Sequence, residues 1–389
     1  MKNPKNKLRV ALVVPHIFLH RDILPNVIFS PGVIALELAS GLEKQNIDVT
    51  LYTPGPIDTS VKNINADMSY FENELAGRGD TYVDLLKKHP FTFVTLARQV
   101  QSELIANAYA AANNNEFDLV HIYTNEEDTA LPFAKLCNKP VVFTHHDPFN
   151  FMVKYKNVFS KYKDLNWLSI SLAQRSGMPS CTNWVGNIYH GLNPHDFTAY
   201  TNNTERDYIA FMGRIIQPKG LHLAIDAVNK YNQTTDVKIK LKIAGKHYSD
   251  TAKDNYWQNE ILPRLNDDIE YVGFIKDVKQ KNEFLGNAKA LVIPSIFDEP
   301  FGMVMIEALA SGTPIIGLNS GAIPEVINNK TGILVEKSKT DRETVDKLAK
   351  GIEKLGEINR RACRDDFENR FTLDRMCRSH AEIYAKLIK

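Results

Sequence analysis

Cysteine is scarce in this sequence of 389 residues, and no long apolar run occurs in it. The four cysteines, Cys137, Cys181, Cys363 and Cys377, lie far apart without a CxxC pair, so neither a zinc site nor a disulfide framework is indicated. The apolar run VALVVP that follows the basic start is too short for a signal-peptide core or a membrane-spanning helix. We therefore expect a first buried strand there, and a chain in a reducing, cytoplasmic location.

An excess of charge is also absent. The chain carries 47 basic and 46 acidic side chains, a formal net charge of +1, so its composition favours no nucleic-acid partner. No DxD triplet occurs in the sequence. The first apolar run is not followed by GxGxxG with a downstream acidic residue, which argues against a dinucleotide-dependent oxidoreductase.

Short β-branched runs alternate with stretches of helical period, a pattern typical of parallel sheets covered by helices. The predicted strands of the first half lie at 10–15, 48–54, 118–123 and 140–146, with helices at 33–45 and 95–112. The pattern restarts with predicted strands at 208–215, 238–245, 269–275, 290–295 and 314–318. Because 389 residues exceed what one hydrophobic core usually organises, we expect two doubly wound α/β domains joined near residue 200.

The stretch IFDEPFGMVMIEALASG predicts a loop that leads into a helix ending near Gly312. Because the first turn of a helix has unpaired N–H groups, the backbone at Phe301, Gly302 and Met303 is suited to phosphate or sugar oxygens. Carboxylates accept hydrogen bonds from pairs of hydroxyls, so Glu299 and Glu307 are candidate ligands for a ribose or hexose. In the alternative interpretation, Glu299 only favours the helix dipole and Glu307 is solvated.

The segment EPFGMVMIE resembles the signature of glycosyltransferase family 4, whose members are retaining enzymes with the GT-B fold. The resemblance spans nearly the whole chain, through THHD, GRIIQPKG, VGFI, SGAIPEV and TGILVE. It implies two Rossmann-like domains that face a central cleft. The expected parts are an acceptor-side domain at 1–200, a nucleotide-sugar domain at 201–371, and a final helix at 372–389 that crosses back to the first domain.

In such an enzyme the leaving nucleoside diphosphate needs a cation beside it. Arg214 and Lys219, in GRIIQPKG, are the candidates, and their alternative interpretation is as ordinary surface cations. The resemblance favours these two side chains over a metal ion, and it implies no cofactor beyond the nucleotide-diphosphate sugar as co-substrate. The catalytic set predicted from the resemblance is His146, Arg214, Lys219 and Glu299.

Further positions are carried over from the family pattern. His146 of THHD matches the family's histidine, whereas His145 is expected to pack inside the domain or cap a helix. Gly32 is expected to let the first domain approach the diphosphate, and Ile275 lies where the backbone of the family touches the base. Glu325, in IPEV, is explained equally well by a ligand contact, a contact with the phosphate-binding lysine, or a favourable place at a helix start.

The resemblance implies transfer of a hexosyl group to a hydroxyl acceptor by front-face attack, in which the leaving phosphate helps to deprotonate the acceptor. A UDP-sugar is preferred to a GDP-sugar as donor. The alternative is a nucleotide-sugar-binding protein without transferase activity. The acceptor, a saccharide, a lipid or a small molecule, is not specified by the sequence. Residues 71–100 are interpreted as a solvated helix pair, with an acceptor wall or a weak peripheral membrane contact as alternatives.

Overall fold

The computed structural model describes residues 7–149, 158–202, 204–247 and 255–389, and the chain divides into two compact units. Unit 1 comprises Met1–Ile170, Arg175–Tyr189 and Leu373–Lys389, and unit 2 comprises Ser171–Gln174 and His190–Thr372. The basic residues Lys2 and Lys5 lie outside the described residues.

The boundary between the units falls earlier than the expected position at residue 200, because residues 190–200 are bonded to unit 2. The Tyr200 amide donates to the carbonyl of Ser311 (2.9 Å), and the Thr198 amide donates to the side chain of Asn282 (3.0 Å). This segment has little apolar content, yet its backbone is fixed by hydrogen bonds.

Unit 1 contains a parallel seven-stranded sheet in the order β3-β2-β1-β4-β5-β6-β7. The strands are β1 (Leu8–Val13), β2 (Ile47–Thr53), β3 (Lys62–Asn65), β4 (Leu119–Tyr123), β5 (Val141–Thr144), β6 (Asn166–Ser169) and β7 (Trp184–Asn187). Its helices are α1 (Ser30–Lys44), α2 (Ser69–Arg78), α3 (Tyr82–Lys88), α4 (Pro90–Asn113) and, from the end of the chain, α11 (Leu373–Leu387). The central strands β4 and β5 are buried along their whole length, as expected for a sheet covered on both faces.

Unit 2 contains a parallel six-stranded sheet in the order β10-β9-β8-β11-β12-β13. The strands are β8 (Tyr208–Met212), β9 (Lys240–Ala244), β10 (Ile269–Gly273), β11 (Ala290–Ile293), β12 (Ile315–Leu318) and β13 (Gly332–Val335). Its helices are α5 (Leu221–Thr234), α6 (Val278–Gly286), α7 (Met303–Ala310), α8 (Ile323–Val326), α9 (Asp341–Glu353) and α10 (Arg360–Arg370). In each sheet the strand order reverses beside the first strand, so both units are doubly wound.

The predicted α/β class with two doubly wound domains is confirmed. Residues 71–100 form parts of three helices rather than a solvated pair, because Phe71, Leu85 and Phe93 are buried in the core of unit 1. Phe91 is 85% exposed at the start of α4. Within the described ranges, every helix is too short or too polar to cross a membrane.

The last helix, α11, is attached to unit 1 by apolar packing and by a buried polar chain. The Sγ atom of Cys377 lies so close to Gly41 of α1 that a Cβ there would be 2.4 Å away. His121 of β4 contacts the Tyr384 hydroxyl through Nδ1 (2.6 Å) and the Thr144 hydroxyl through Nε2 (2.8 Å). All of these polar atoms are buried, so the loss of one would leave another without a partner.

Replacing Tyr384 by phenylalanine removes only the hydroxyl that bonds to His121. We expect Tyr384→Phe to lower the free energy of unfolding by about 1–3 kcal/mol, because His121 Nδ1 is then buried without a partner. Urea denaturation followed by circular dichroism measures the change. Tyr70→Phe is the matched control, because the half-buried Tyr70 has no hydrogen bond from its hydroxyl among the described residues. Equal stability of Tyr384→Phe and the control would contradict the assignment.

The buried His380 of α11 is expected to make stability depend on pH. Burial lowers the pKa of His380 to about 4, partly opposed by the hydrogen bond to the Met376 carbonyl. The unfolded chain binds this proton near pH 6.5 and the folded chain does not, so stability is lost as the pH falls from about 6.5 to about 4. For one such group the loss approaches roughly 3 kcal/mol.

The prediction is tested by measuring the free energy of unfolding of His380→Gln and of the wild-type protein between pH 7.5 and 4.5. The variant is expected to lose less stability on acidification. His195→Gln, at an exposed position, is the control and should follow the wild type. A His380→Gln curve parallel to the wild-type curve would show that His380 does not carry the pH dependence.

Candidate active site

Lys219 lies at the carboxyl edge of the sheet of unit 2, in a short 3-10 turn that links β8 to α5. The turn is anchored to the loop after β11, because the Ile296 amide donates to the Pro218 carbonyl (2.9 Å). Gly220 ends the turn with a φ of 68°, and a Cβ there would lie 2.1 Å from the Pro294 carbonyl oxygen. Only glycine allows the backbones to come this close. Gly220, the last residue of the GRIIQPKG motif, therefore fixes the position of Lys219.

Glu299 is the partner of Lys219. The Lys219 ammonium donates to Glu299 Oε1, and the Ser295 hydroxyl donates to the same oxygen (2.7 Å). The Glu299 side chain is 6% exposed and that of Lys219 20%, so this ion pair is largely shielded from water. Lys219 also lies over the ring of Phe297, 4.9 Å from its centroid. The arrangement holds one cation and one carboxylate at a strand end, as a candidate site for an anionic, hydroxylated ligand requires.

The loop that carries Glu299 is held by the loop after β12. The Ala322 amide donates to the Glu299 carbonyl (2.8 Å), and the Ser320 hydroxyl donates to the Phe297 carbonyl (2.9 Å). Gly321, with a φ of 53°, passes so close that a Cβ would lie 2.3 Å from the Glu299 nitrogen. The SGAIPEV motif thus supports Glu299 by its backbone.

Helix α7 begins immediately after this loop. Gly302 is its N-cap with a φ of 91°, and Met303 is its first residue, so the N–H groups of the first turn lie beside the Glu299 loop. Phe301 is buried, with its ring 4.9 Å from that of His190. The Phe301 side chain therefore anchors the loop in the core, and its backbone is the part suited to a ligand.

Glu307 lies in the second turn of α7 and is paired with Lys281 of α6 (3.3 Å). The Glu307 side chain is 13% exposed, so it is neither a freely solvated residue nor a fully buried one. Each of the two predicted carboxylates, Glu299 and Glu307, therefore has its own lysine.

Arg214 and Ile275 follow strands of the same sheet edge. Arg214, two residues after β8, is exposed and has no hydrogen-bond partner among the described residues. Ile275, two residues after β10, is half-buried. Of the two predicted cations, only Lys219 is joined to a carboxylate within the part of the chain that the structure describes.

His146 and Gly32 belong to unit 1. His146 follows β5, is 6% exposed and packs edge-on against Tyr123, with 4.4 Å between ring centroids. Gly32 is buried in the first turn of α1, where a Cβ would meet the Phe29 ring at 2.5 Å. The absent side chain thus makes room for Phe29 within the unit.

His145, which the sequence predicts to be packed, is fully buried and its Nδ1 lies 3.0 Å from Glu127 Oε2. Burial raises the pKa of the Glu127 carboxyl well above its usual range, and the neighbouring charge of Asp128 acts in the same direction. This pair was not identified from the sequence, because Glu127 and His145 follow different strands of the sheet.

Other residues of the site could not be recognised from their motifs. Ser295 and Lys281 contact the two candidate carboxylates, yet neither belongs to the segments that carry the resemblance. The Glu325 carboxylate accepts hydrogen bonds from the amides of Leu172 (2.8 Å) and Ala173 (2.6 Å). No group of three or more His, Cys, Asp and Glu side chains in the described ranges is arranged to hold a metal ion.

Two family models match the chain in sequence. "Glycosyltransferase Family 4" matches residues 32–195 and "Glycosyl transferases group 1" matches residues 194–368, which include Lys219, Glu299 and Glu307. Phosphatidyl-myo-inositol mannosyltransferase of Propionibacterium freudenreichii is 22% identical over 346 residues, 84% of this chain and 81% of the relative.

Solved structures match over nearly the whole length. Sucrose-phosphate synthase from Thermosynechococcus elongatus superimposes with a TM-score of 0.72 at 17% identity, covering 98% of this chain and 99% of that one. Anabaena HepE in complex with UDP gives a TM-score of 0.66 at 14% identity, covering 98% and 100%. At these identities the likeness is one of fold.

Substitution of Gly220 tests the anchoring of the Lys219 turn. We expect Gly220→Ala to lower the free energy of unfolding by about 2 kcal/mol or more, because the new Cβ meets the Pro294 carbonyl and the backbone is left-handed. Urea denaturation measures the loss. Gly356→Ala is the control, since a Cβ there meets nothing within 4 Å. A Gly220→Ala protein as stable as this control would contradict the proposed anchoring.

Proposed function

Because the chain belongs to the group 1 glycosyltransferases, we propose that it is a retaining hexosyltransferase that takes its sugar from a nucleotide-diphosphate donor. The observation that carries this proposal is the shielded Lys219–Glu299 pair at the carboxyl edge of the sheet of unit 2. In open α/β sheets, ligands bind at this edge. The pair offers both kinds of group that a sugar nucleotide needs, a cation for phosphate and a carboxylate for hydroxyls.

Lys219 is proposed to stabilise the leaving diphosphate. Its charge is balanced by Glu299, which holds the ammonium in place. Negative charge develops on the leaving phosphate in the transition state, and a positioned cation in a shielded site lowers that energy most. Arg214, which is exposed after the same strand, β8, is proposed to assist as a second cation.

Glu299 and Glu307 are proposed to bind the donor hydroxyls, on the transferred sugar and on the ribose respectively. Both are fixed by a lysine, and Glu299 is fixed further by Ser295. The first-turn backbone of α7 at Gly302 and Met303 is proposed to contact the diphosphate, and the half-buried Ile275 to touch the base. His146 is proposed to bind a sugar hydroxyl from unit 1.

Retention of the anomeric configuration is proposed to follow front-face attack, with the leaving phosphate oxygen accepting the acceptor proton. In this mechanism Glu299 binds a sugar hydroxyl and does not attack the sugar, consistent with the hydrogen bonds that it accepts from Lys219 and Ser295. A UDP-sugar is the preferred donor, supported by the fold shared with a protein solved with UDP. The alternative, a nucleotide-sugar-binding protein without transfer activity, would need the same donor contacts.

The donor is identified first. A thermal-shift screen compares UDP-glucose with GDP-mannose, because a ligand stabilises the folded state by mass action. We expect stabilisation by UDP-glucose that is reduced in Lys219→Ala. Nucleotide release is then measured with a panel of saccharide and lipid acceptors, and product anomers are assigned by NMR.

The variants Lys219→Ala and Glu299→Gln are expected to lower kcat/KM by roughly 10²–10³, as loss of a positioned charge does in other active sites. Lys339→Ala and Glu270→Gln, which change exposed residues of unit 2, are the matched controls and should keep wild-type activity. Wild-type turnover in Lys219→Ala and Glu299→Gln would overturn the proposal. Donor binding without transfer to any acceptor would favour the alternative, and an inverted product would overturn retention.

A further inference from the structure

A second candidate ligand site lies at the opposite edge of the sheet of unit 2. A cavity of about 540 Å³ is lined by residues that precede four strands, among them Asp207 before β8, Ile239 before β9, Lys289 before β11 and Pro314 before β12. This is the amino edge of the sheet, whereas Lys219 and Glu299 lie at the carboxyl edge. The volume is within the range of small-molecule sites.

Two arginines line this cavity side by side. Arg206 and Arg360 both donate to the Tyr200 carbonyl (3.2 and 2.6 Å) and to the Gly286 carbonyl (3.1 and 2.8 Å). Their other hydrogen bonds also go to carbonyl, amide or hydroxyl oxygens, at Asn202, Thr204, Ala288 and Thr313. In the part of the chain that the structure describes, neither guanidinium has a carboxylate within 4.0 Å.

This arrangement has an electrostatic cost. Burial and, to a smaller extent, the adjacent charge of Arg206 together lower the pKa of Arg360 to about 10. Shielded cations are normally paired with anions, and backbone carbonyls supply only partial charges. The N–H groups of Arg206 all donate to protein oxygens, and so do four of the five of Arg360. An anion in the cavity would therefore be attracted by their charge, and its hydrogen bonds would come mainly from other basic groups.

Two lysines and three carboxylates also line the cavity. Lys238 and Lys289 add two cations without a described ion-pair partner, whereas Glu205, Asp207 and Glu357 contribute three carboxylates to the lining. A purely inorganic anion would meet the cations and be repelled by the carboxylates. A ligand with a phosphate at one end and hydroxyls at the other matches both sets.

We propose that this cavity binds a small phosphorylated polyol, with its phosphate on the lysines and its hydroxyls on the carboxylates. The two arginines, which bond to the backbone carbonyls of Tyr200 and Gly286, line the site. Lys289, which is half-buried, and Lys238, which is exposed, supply the charges that can be removed without breaking those backbone contacts. The site is independent of the proposed transfer reaction.

Binding is tested with glucose 6-phosphate, inorganic phosphate and glucose as probes, by isothermal titration calorimetry on the full chain. We expect glucose 6-phosphate to bind more tightly than either of the other two. The double variant Lys238→Gln/Lys289→Gln should raise its Kd about tenfold, since a charge-assisted hydrogen bond to phosphate is lost. Lys339→Gln, an exposed lysine after β13, is the control with unchanged affinity.

A phosphate compound could also enter the candidate donor site, so each titration is repeated in Lys219→Ala. The proposed cavity predicts that binding of glucose 6-phosphate persists there. Binding that disappears in Lys219→Ala but survives in the Lys238→Gln/Lys289→Gln variant would assign the phosphate to the donor site and overturn the proposal. Equal affinity for inorganic phosphate and glucose 6-phosphate would overturn the polyol part, and absence of any binding would overturn the whole.

Discussion

The candidate active site depends on one constraint, the close backbone contact of three loops at the carboxyl edge of β8, β11 and β12. The loop after β8 meets the loop after β11 where Gly220 touches Pro294, and the loop after β12 meets it where Gly321 touches Glu299. Because these are contacts between backbones, the positions of Lys219 and Glu299 do not depend on flexible side-chain packing. A lysine and a carboxylate that lie 80 residues apart in sequence are thus presented as a fixed pair.

The sequence predicts the doubly wound fold, because apolar runs of strand length alternate with helical periods, and this prediction is confirmed. The resemblance to a glycosyltransferase family is confirmed by models that together match residues 32–368. Local pattern is sufficient for these conclusions since strands buried on both faces and the helix N-terminus at Gly302 have local signatures. The roles of the individual site residues stay predictions.

Side-chain pairing could not be derived from sequence, because it depends on which strands are neighbours. Ser295 bonds to Glu299 only because the loop after β11 turns back on itself. Lys281 pairs with Glu307 because their helices, α6 and α7, lie next to each other. His121 and Tyr384 are 263 residues apart and are joined by the return of α11 to unit 1. The same applies to residues 190–200, which are polar in sequence like a linker and are fixed to unit 2 by hydrogen bonds of their backbone.

Cationic side chains have different partners at the two edges of the sheet of unit 2. At the carboxyl edge the charges of Lys219 and Lys281 are balanced by carboxylates. An anionic ligand would therefore compete with Glu299 for the Lys219 ammonium. Hydroxyl groups of the ligand that donate to the Glu299 carboxylate would then add specificity. At the amino edge Arg206 and Arg360 are bonded to oxygens of the protein that carry only partial charge. An anion there displaces no carboxylate, and its binding would be limited by desolvation and by the three acidic groups of the cavity. The first arrangement suits a substrate that must exchange partners during a reaction, and the second suits a ligand that is held without being changed.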